Sequence, residues 1–217
     1  MDNQTILLKT IEYVKETLAK DYSGHDWWHI YRVWVMAKRI QQNENGNIFV
    51  IELGALLHDI ADWKFHDGDL SIGPKVAESW LTSLGVDNTI IDQVCTIINS
   101  TSFKGAKVNN KLATIEEMIV QDADRLDSMG AIGIGRTFAF GGSKGRLIFD
   151  PNKAPQLHES FDEYRNSESS SINHFYEKLL LLKDMINTET AKTIAKERHE
   201  FMCLFLDQFF AEWKGGK

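Results

Sequence analysis

Two histidines and two aspartates recur along the chain in the pattern H-x28-H-D-x64-D: His29, the adjacent pair His58-Asp59, and Asp124. Imidazole nitrogens and carboxylate oxygens make a mixed ligand set for a divalent metal ion. Each member falls on a stretch that otherwise reads as amphipathic or buried helix, where a charged side chain is costly unless something pairs with it. A metal ion supplies that pairing. The alternative is a buried ion-pair network, but such pairs contribute little net stability. Four protein ligands in an octahedral shell leave about two positions for water or a substrate oxygen. Open positions separate a catalytic centre from a closed structural one.

These residues need elements that bring them together. His25, His29 and Arg32, spaced by four and three, share one face of a helix predicted over residues 26–42. Ile30, Val33, Trp34 and Ala37 cover its other faces, and Ser23 followed by Asp26 resembles a capping box at its start. His58 and Asp59 follow an apolar run whose Ile51, Leu53, Ala55, Leu56 and Leu57 predict a central helix over 48–61. Neighbouring side chains on a helix point about 100° apart, so an ion on the bisector can take both. Asp124 lies in the last turn of a helix predicted over 112–126. Further helices are expected over 2–20, from Ser71-Pro74 to Gly85, from Asp87 to about Ser100, and over 129–140, 173–186 and 188–213. Between the helices over 129–140 and 173–186, residues 141–171 are polar (GGSKG, DPNKAP, SESSS) and read as a long irregular loop, a candidate lid. Strong alternation is absent and period-3.6 patterning dominates. The expected fold is therefore all-α, a single domain over 1–217.

Composition narrows the function. With 43% hydrophobic and 25% charged residues, the chain reads as a soluble globular protein. A formal net charge of −7 argues against nucleic acid polymers and anionic membranes as partners, while leaving small anions open. The two cysteines, Cys95 and Cys203, sit in apolar helical patterns, which indicates a reducing, cytoplasmic setting without structural disulfides. The first residues, MDNQTILLKTIEYVKE, do not read as a signal peptide. The apolar run from Ile48 to Leu57 contains Glu52 and is too short to span a bilayer. GGSKG lacks the spacing of a phosphate-cradling loop. Gly130, Gly133 and Gly135 follow no predicted strand, so they read as packing or bending positions. Trp27, Trp28, Tyr31 and Trp34 can stack on a base, although core packing is the commoner fate of such side chains. His66, His158, His174 and His199 read as surface or core residues.

The segments SGHDWWHIYRV, GALLHDIADWKF, QDADRLDSMGAIGIGRTFAFGG, INHFYEKLL and TAKTIAKERHEFM together resemble the HD-domain superfamily of metal-dependent phosphohydrolases. The resemblance covers most of the chain and is greatest to small bacterial HD hydrolases, some of which act on nucleoside triphosphates. It implies an HD-type helical bundle with His29, His58, Asp59 and Asp124 as metal ligands. Two-metal members add histidines between the doublet and the last aspartate. Here that interval holds only His66, and Asn99-Ser100 stand where such proteins carry histidine, so one metal is expected. By the same resemblance Asp62 and Asp67 assist the attacking water, Asp62 being the better candidate to orient or deprotonate it. An exposed helix end and turn is the alternative reading of both. Cations are needed where charge grows on the leaving phosphate. His25, Arg32, Lys64 and Arg125 are nearest the ligands in sequence, with Lys144, Arg146, Lys178, Lys183 and Arg198 available from later segments.

The expected activity is hydrolysis of a nucleotide phosphoanhydride, as a nucleoside triphosphate pyrophosphohydrolase or phosphatase, with one divalent ion. Manganese leads, followed by magnesium, iron, cobalt, nickel or zinc. Two alternatives remain open: a phosphomonoesterase or cyclic-nucleotide phosphodiesterase, and a non-catalytic ligand-binding module that keeps its metal. The expected partners are a phosphorylated small molecule, a nucleotide first, with room for a homodimer.

Overall fold

The computed structural model describes residues 1–19, 26–61, 71–101, 112–157 and 169–216. By its internal contacts the chain divides into two compact units. The first comprises the described residues up to Asp124, and the second the described residues from Arg125 onward. No strand occurs among the described residues, as the all-α expectation requires. No described helix is long and apolar enough to cross a membrane.

In the first unit, α1 (Asn3–Thr17) starts where the Asp2 carboxylate accepts the Thr5 N–H. Its Tyr13 ring stacks on Trp80 at 4.1 Å between centroids. α2 (Trp27–Glu44) starts at Asp26, whose side chain caps the His29 N–H; Ser23 lies outside the described residues. α3 (Ile48–Leu57) is buried from Phe49 to Leu57, since an apolar surface on every side demands neighbours on every side. α1, α2 and α5 (Asn88–Thr101) all pack against it. The predicted helix over 48–61 stops at Leu57, with His58 as C-cap in right-handed helical geometry. α4 (Ile72–Ser83) carries Pro74 in its first turn, where the missing N–H costs nothing. It ends in a Schellman turn: Gly85 N–H and Val86 N–H donate to the Thr82 and Leu81 carbonyls. Gly85 takes φ +71° there, which a side chain would resist. Asp87 opens α5 by accepting the Thr89 N–H.

α6 (Ile115–Asp127) begins three residues later than predicted. The reason is a reciprocal capping box. Thr114 Oγ1 accepts the Glu117 N–H, and the buried Glu117 carboxylate accepts the Thr114 N–H. The Gln121 amide donates to the Ser100 carbonyl at 2.7 Å, tying α6 to the end of α5. Ile119, Val120 and Ala123 are fully buried along α6.

In the second unit, α7 (Gly130–Ser143) runs through the first two glycines of GGSKG. The helix predicted over 173–186 is instead a short α8 (Ser171–Glu177) followed by a 3₁₀ segment (Leu179–Met185), with Lys178 breaking the path at φ −143°. In the tighter turn side chains three apart eclipse. Leu179 and Leu182 therefore both point into the core, at 2% and 1% exposure. α9 (Glu189–Trp213) closes the chain from a Thr188 cap. Phe138, Phe175 and Phe205 pack together between α7, α8 and α9, Phe175 stacked on Phe205 and Phe138 edge-on to Phe205. The described part of the candidate lid is fastened to α8. Leu147, Ile148 and Lys153 carbonyls accept from Ser171, Ile172 and Asn173, and Glu177 accepts the Gln156 N–H. Residues 158–168 lie outside the described residues.

Candidate metal centre

Three segments of the first unit bring the four predicted ligands together. His29 comes from the first turn of α2 and is fully buried. His58 and Asp59 come from the end of α3, and Asp124 from the last turn of α6. His29 Nε2 and His58 Nε2 stand 3.2 Å apart with the rings edge to face. Asp59 Oδ2 lies 3.4 Å from the first nitrogen and 3.6 Å from the second. Asp124 Oδ1 lies 3.5 and 3.8 Å from the same two atoms. The carboxylates are 19% and 27% exposed, against 0% and 1% for the imidazoles. The centre thus has a closed nitrogen floor and a carboxylate side open to solvent.

The protonation of His58 follows from its other nitrogen. Nδ1 sits 2.8 Å from the Ala55 carbonyl, which can only accept. The neutral ring therefore carries its proton on Nδ1, and the Nε2 lone pair faces the centre. Carboxylates at this distance also offer only lone pairs. An electron-rich hollow lined this way wants a cation. Ligand atoms about 2.0–2.2 Å from an ion stand roughly 2.9–3.6 Å apart at right to tetrahedral angles, and the observed separations of 3.2–3.8 Å fall in or just beyond that interval. His29, His58 and Asp59 each offer a ligand atom within 4.8 Å of one another. The donor set fits a divalent ion.

The other predicted site residues divide. His25, Asp62, Lys64 and Asp67 lie outside the described residues, as do His66 and His158. Arg32 is half-buried on α2, three residues beyond His29. The Arg125 guanidinium donates to the Met185 carbonyl. Arg198 donates to the Leu126 carbonyl. Lys144 and Arg146 both lie over the Phe140 ring, and Lys183 pairs with Asp184 at 3.7 Å. Among the aromatic residues of α2, Trp28 and Tyr31 do not pack into the core; they are 61% and 42% exposed. Lys15 and Lys38 sit over the rings of Trp27 and Trp34. Sequence reasoning placed Asp26 in a capping box with Ser23 at the helix start, and the structure makes Asp26 itself the cap, on the His29 N–H. The Ala55 carbonyl is backbone and leaves no signal in the sequence.

Two imidazoles and two carboxylates converging from three helices make a candidate centre for a divalent metal ion. Residues 27–129 match the HD domain family. YpgQ of Bacillus subtilis is 39% identical over 199 residues, 90% of this chain and 88% of that protein. The crystal structure of an HD-superfamily hydrolase from Bacillus thuringiensis is similar with a TM-score of 0.75 and 46% identity, over 98% of this chain and 99% of that one. YpgQ in crystalline complex with ADP gives a TM-score of 0.76 at 34% identity, over 97% of this chain and all of that one. The chain belongs to the HD-domain superfamily of metal-dependent hydrolases.

Proposed function

We propose that this protein hydrolyses a phosphoanhydride bond of a nucleotide, a nucleoside triphosphate first, at the His29–His58–Asp59–Asp124 centre. The observation that carries the reading is the convergence of two imidazole nitrogens and two carboxylate oxygens within 3.2–3.8 Å. Its nucleotide part is supported by YpgQ, which has been crystallised with ADP. His29, His58, Asp59 and Asp124 would hold one divalent ion, manganese before magnesium, iron, cobalt, nickel or zinc. Such an ion supplies Lewis acidity and lowers the pKa of bound water.

The chain's own groups do the rest. The buried nitrogen floor excludes water from one side, so substrate enters past the carboxylates. Asp62 is the proposed base that takes the proton from the attacking water, with Asp67 orienting it. Arg32 stands one turn from His29, where a fixed cation would meet charge building on the departing phosphate. His25, Lys64 and Arg125 are assigned the same task.

The experiment is a side-by-side assay of nucleoside triphosphates, monophosphates and cyclic nucleotides with manganese. Triphosphate turnover is expected. Turnover of only monophosphates or cyclic nucleotides would overturn the substrate, and no turnover with any divalent ion would overturn the enzyme.

A further inference from the structure

α3, with the sequence IFVIELGALL, holds one charged residue, Glu52, which is buried at 8% exposure. Its Oε1 takes two donors from α2, the Trp34 indole N–H at 3.0 Å and the Lys38 ammonium at 3.2 Å. The ammonium also lies over the Trp34 ring, 4.8 Å from its centroid. Each of the three groups thus touches the other two. Lys38 is 46% exposed, and ion pairs open to solvent contribute little stability. An apolar side chain at position 52 would suit the core as well as the acid does. Stability alone gives α3 no reason to carry Glu52.

We infer that the Glu52–Trp34–Lys38 cluster sets the roll of α2 against α3, and through it the separation of the His29 and His58 imidazoles. The inference rests on reading those two residues as metal ligands. α3 is apolar on every side, so burial alone favours no single angle of α2 about its own axis. The short turn at residues 45–47 limits sliding of one helix along the other and leaves rolling open. Five residues separate His29 from Trp34, and six separate Glu52 from His58. These are about 7.5 and 9 Å along the two axes, so cluster and imidazoles share one antiparallel stagger.

Around α2 the cluster and the ligand take opposite flanks. At about 100° per residue, Trp34 lies about 140° from His29, and Lys38 about 180°. The buried Ile30, Val33 and Ala37 occupy the arc between them. A grip on one flank therefore governs what projects from the other. A roll of about 10° moves an atom roughly 6 Å off the axis by about 1 Å, and a preorganised site tolerates about 0.5 Å. The two Nε2 atoms stand 3.2 Å apart. Glu52 is in this sense a positioning residue: it acts through the helix that carries His29. What the two donors need is an acceptor oxygen, which an amide also supplies.

Calorimetric titration with manganese and thermal melting of the metal-free full chain separate position from stability. Glu52→Leu should leave the metal-free Tm nearly unchanged and weaken manganese binding by roughly 10–100-fold. Glu52→Gln, which keeps the acceptor, should bind as the unaltered protein does. Trp34→Phe keeps a ring, removes the donor and should weaken binding in the same direction. A crystal structure of metal-free Glu52→Leu should show the Nε2 atoms farther apart than 3.2 Å. Unchanged affinity in Glu52→Leu, an equal loss in Glu52→Gln, or a loss that only follows a fallen Tm would overturn the role of the cluster. An unaltered chain that binds no manganese would overturn the metal centre instead, and the Nε2 separation in Glu52→Leu would then decide the cluster by itself.

Discussion

Asp26 Oδ1 accepts the backbone N–H of His29 at 3.0 Å, so the residue that starts α2 also anchors the backbone of the first candidate ligand. The cap satisfies a donor that the helix cannot, and it does so on the residue whose imidazole must be placed. Asp26→Ala should cost about 1 kcal/mol, a fall of roughly 2–4 °C in Tm for a chain of this size. It should also weaken manganese binding, measured by calorimetric titration. A lowered Tm with unchanged affinity would make the cap structural only.

The four converging side chains set a second prediction. His29→Ala, His58→Ala, Asp59→Asn and Asp124→Asn should each reduce bound metal by more than the roughly 10–100-fold that an indirect partner contributes. Hydrolysis should fall with it. Elemental analysis of the purified variants separates loss of the ion from loss of chemistry. Chelation of the unaltered protein should lower its Tm, by an amount that grows with the logarithm of the ion concentration restored. An apo protein that melts no lower than the manganese-loaded one would speak against the centre.

Cys95 gives a prediction in pH. Burial first, then the Glu78 and Asp92 carboxylates, hold its thiol above the ordinary value. The raised value favours the neutral form. Its contribution to stability is therefore complete below the free-thiol titration and is lost as pH rises through the folded-state value. At moderately alkaline pH, Cys95 in the folded chain should alkylate more slowly than in the denatured chain, and the gap should narrow as pH climbs. Equal rates throughout would contradict the shift.

Arg198 makes a structural prediction in the second unit. Its guanidinium donates to the Leu126 carbonyl at the end of α6, and its stem lies where a Cβ on Gly130 would come within 3.1 Å. Gly130 also holds φ +69°. Arg198→Met keeps the stem and removes the charged donor, which should cost about 1.5–3 kcal/mol in chemical denaturation. Gly130→Ala should destabilise by crowding the same stem and by backbone strain.

The four converging side chains were legible as candidates because charge is conspicuous on an apolar helix. His58 and Asp59 follow a run from Phe49 to Leu57 that is wholly buried, and a polar pair there needs a reason. The start of α6 was missed: apolar periodicity alone placed it three residues early, although Thr114 and Glu117 stand in capping-box spacing. The break after Glu177 was not legible. Four leucines from Leu179 to Leu182 suit an α-helix as well as a 3₁₀ turn, and only packing decides between them. The exposure of Trp28 was hidden for a related reason: helical spacing gives a face, and neither side of it is labelled core until a partner helix arrives.

Glu177 has one further consequence. A single oxygen, Oε1, accepts both the Gln156 N–H and the Ser169 hydroxyl. The stretch that leaves after residue 157 and returns at residue 169 therefore departs from and arrives at the same carboxylate. Removing that carboxylate, as in Glu177→Ala, would release both ends from α8 at once.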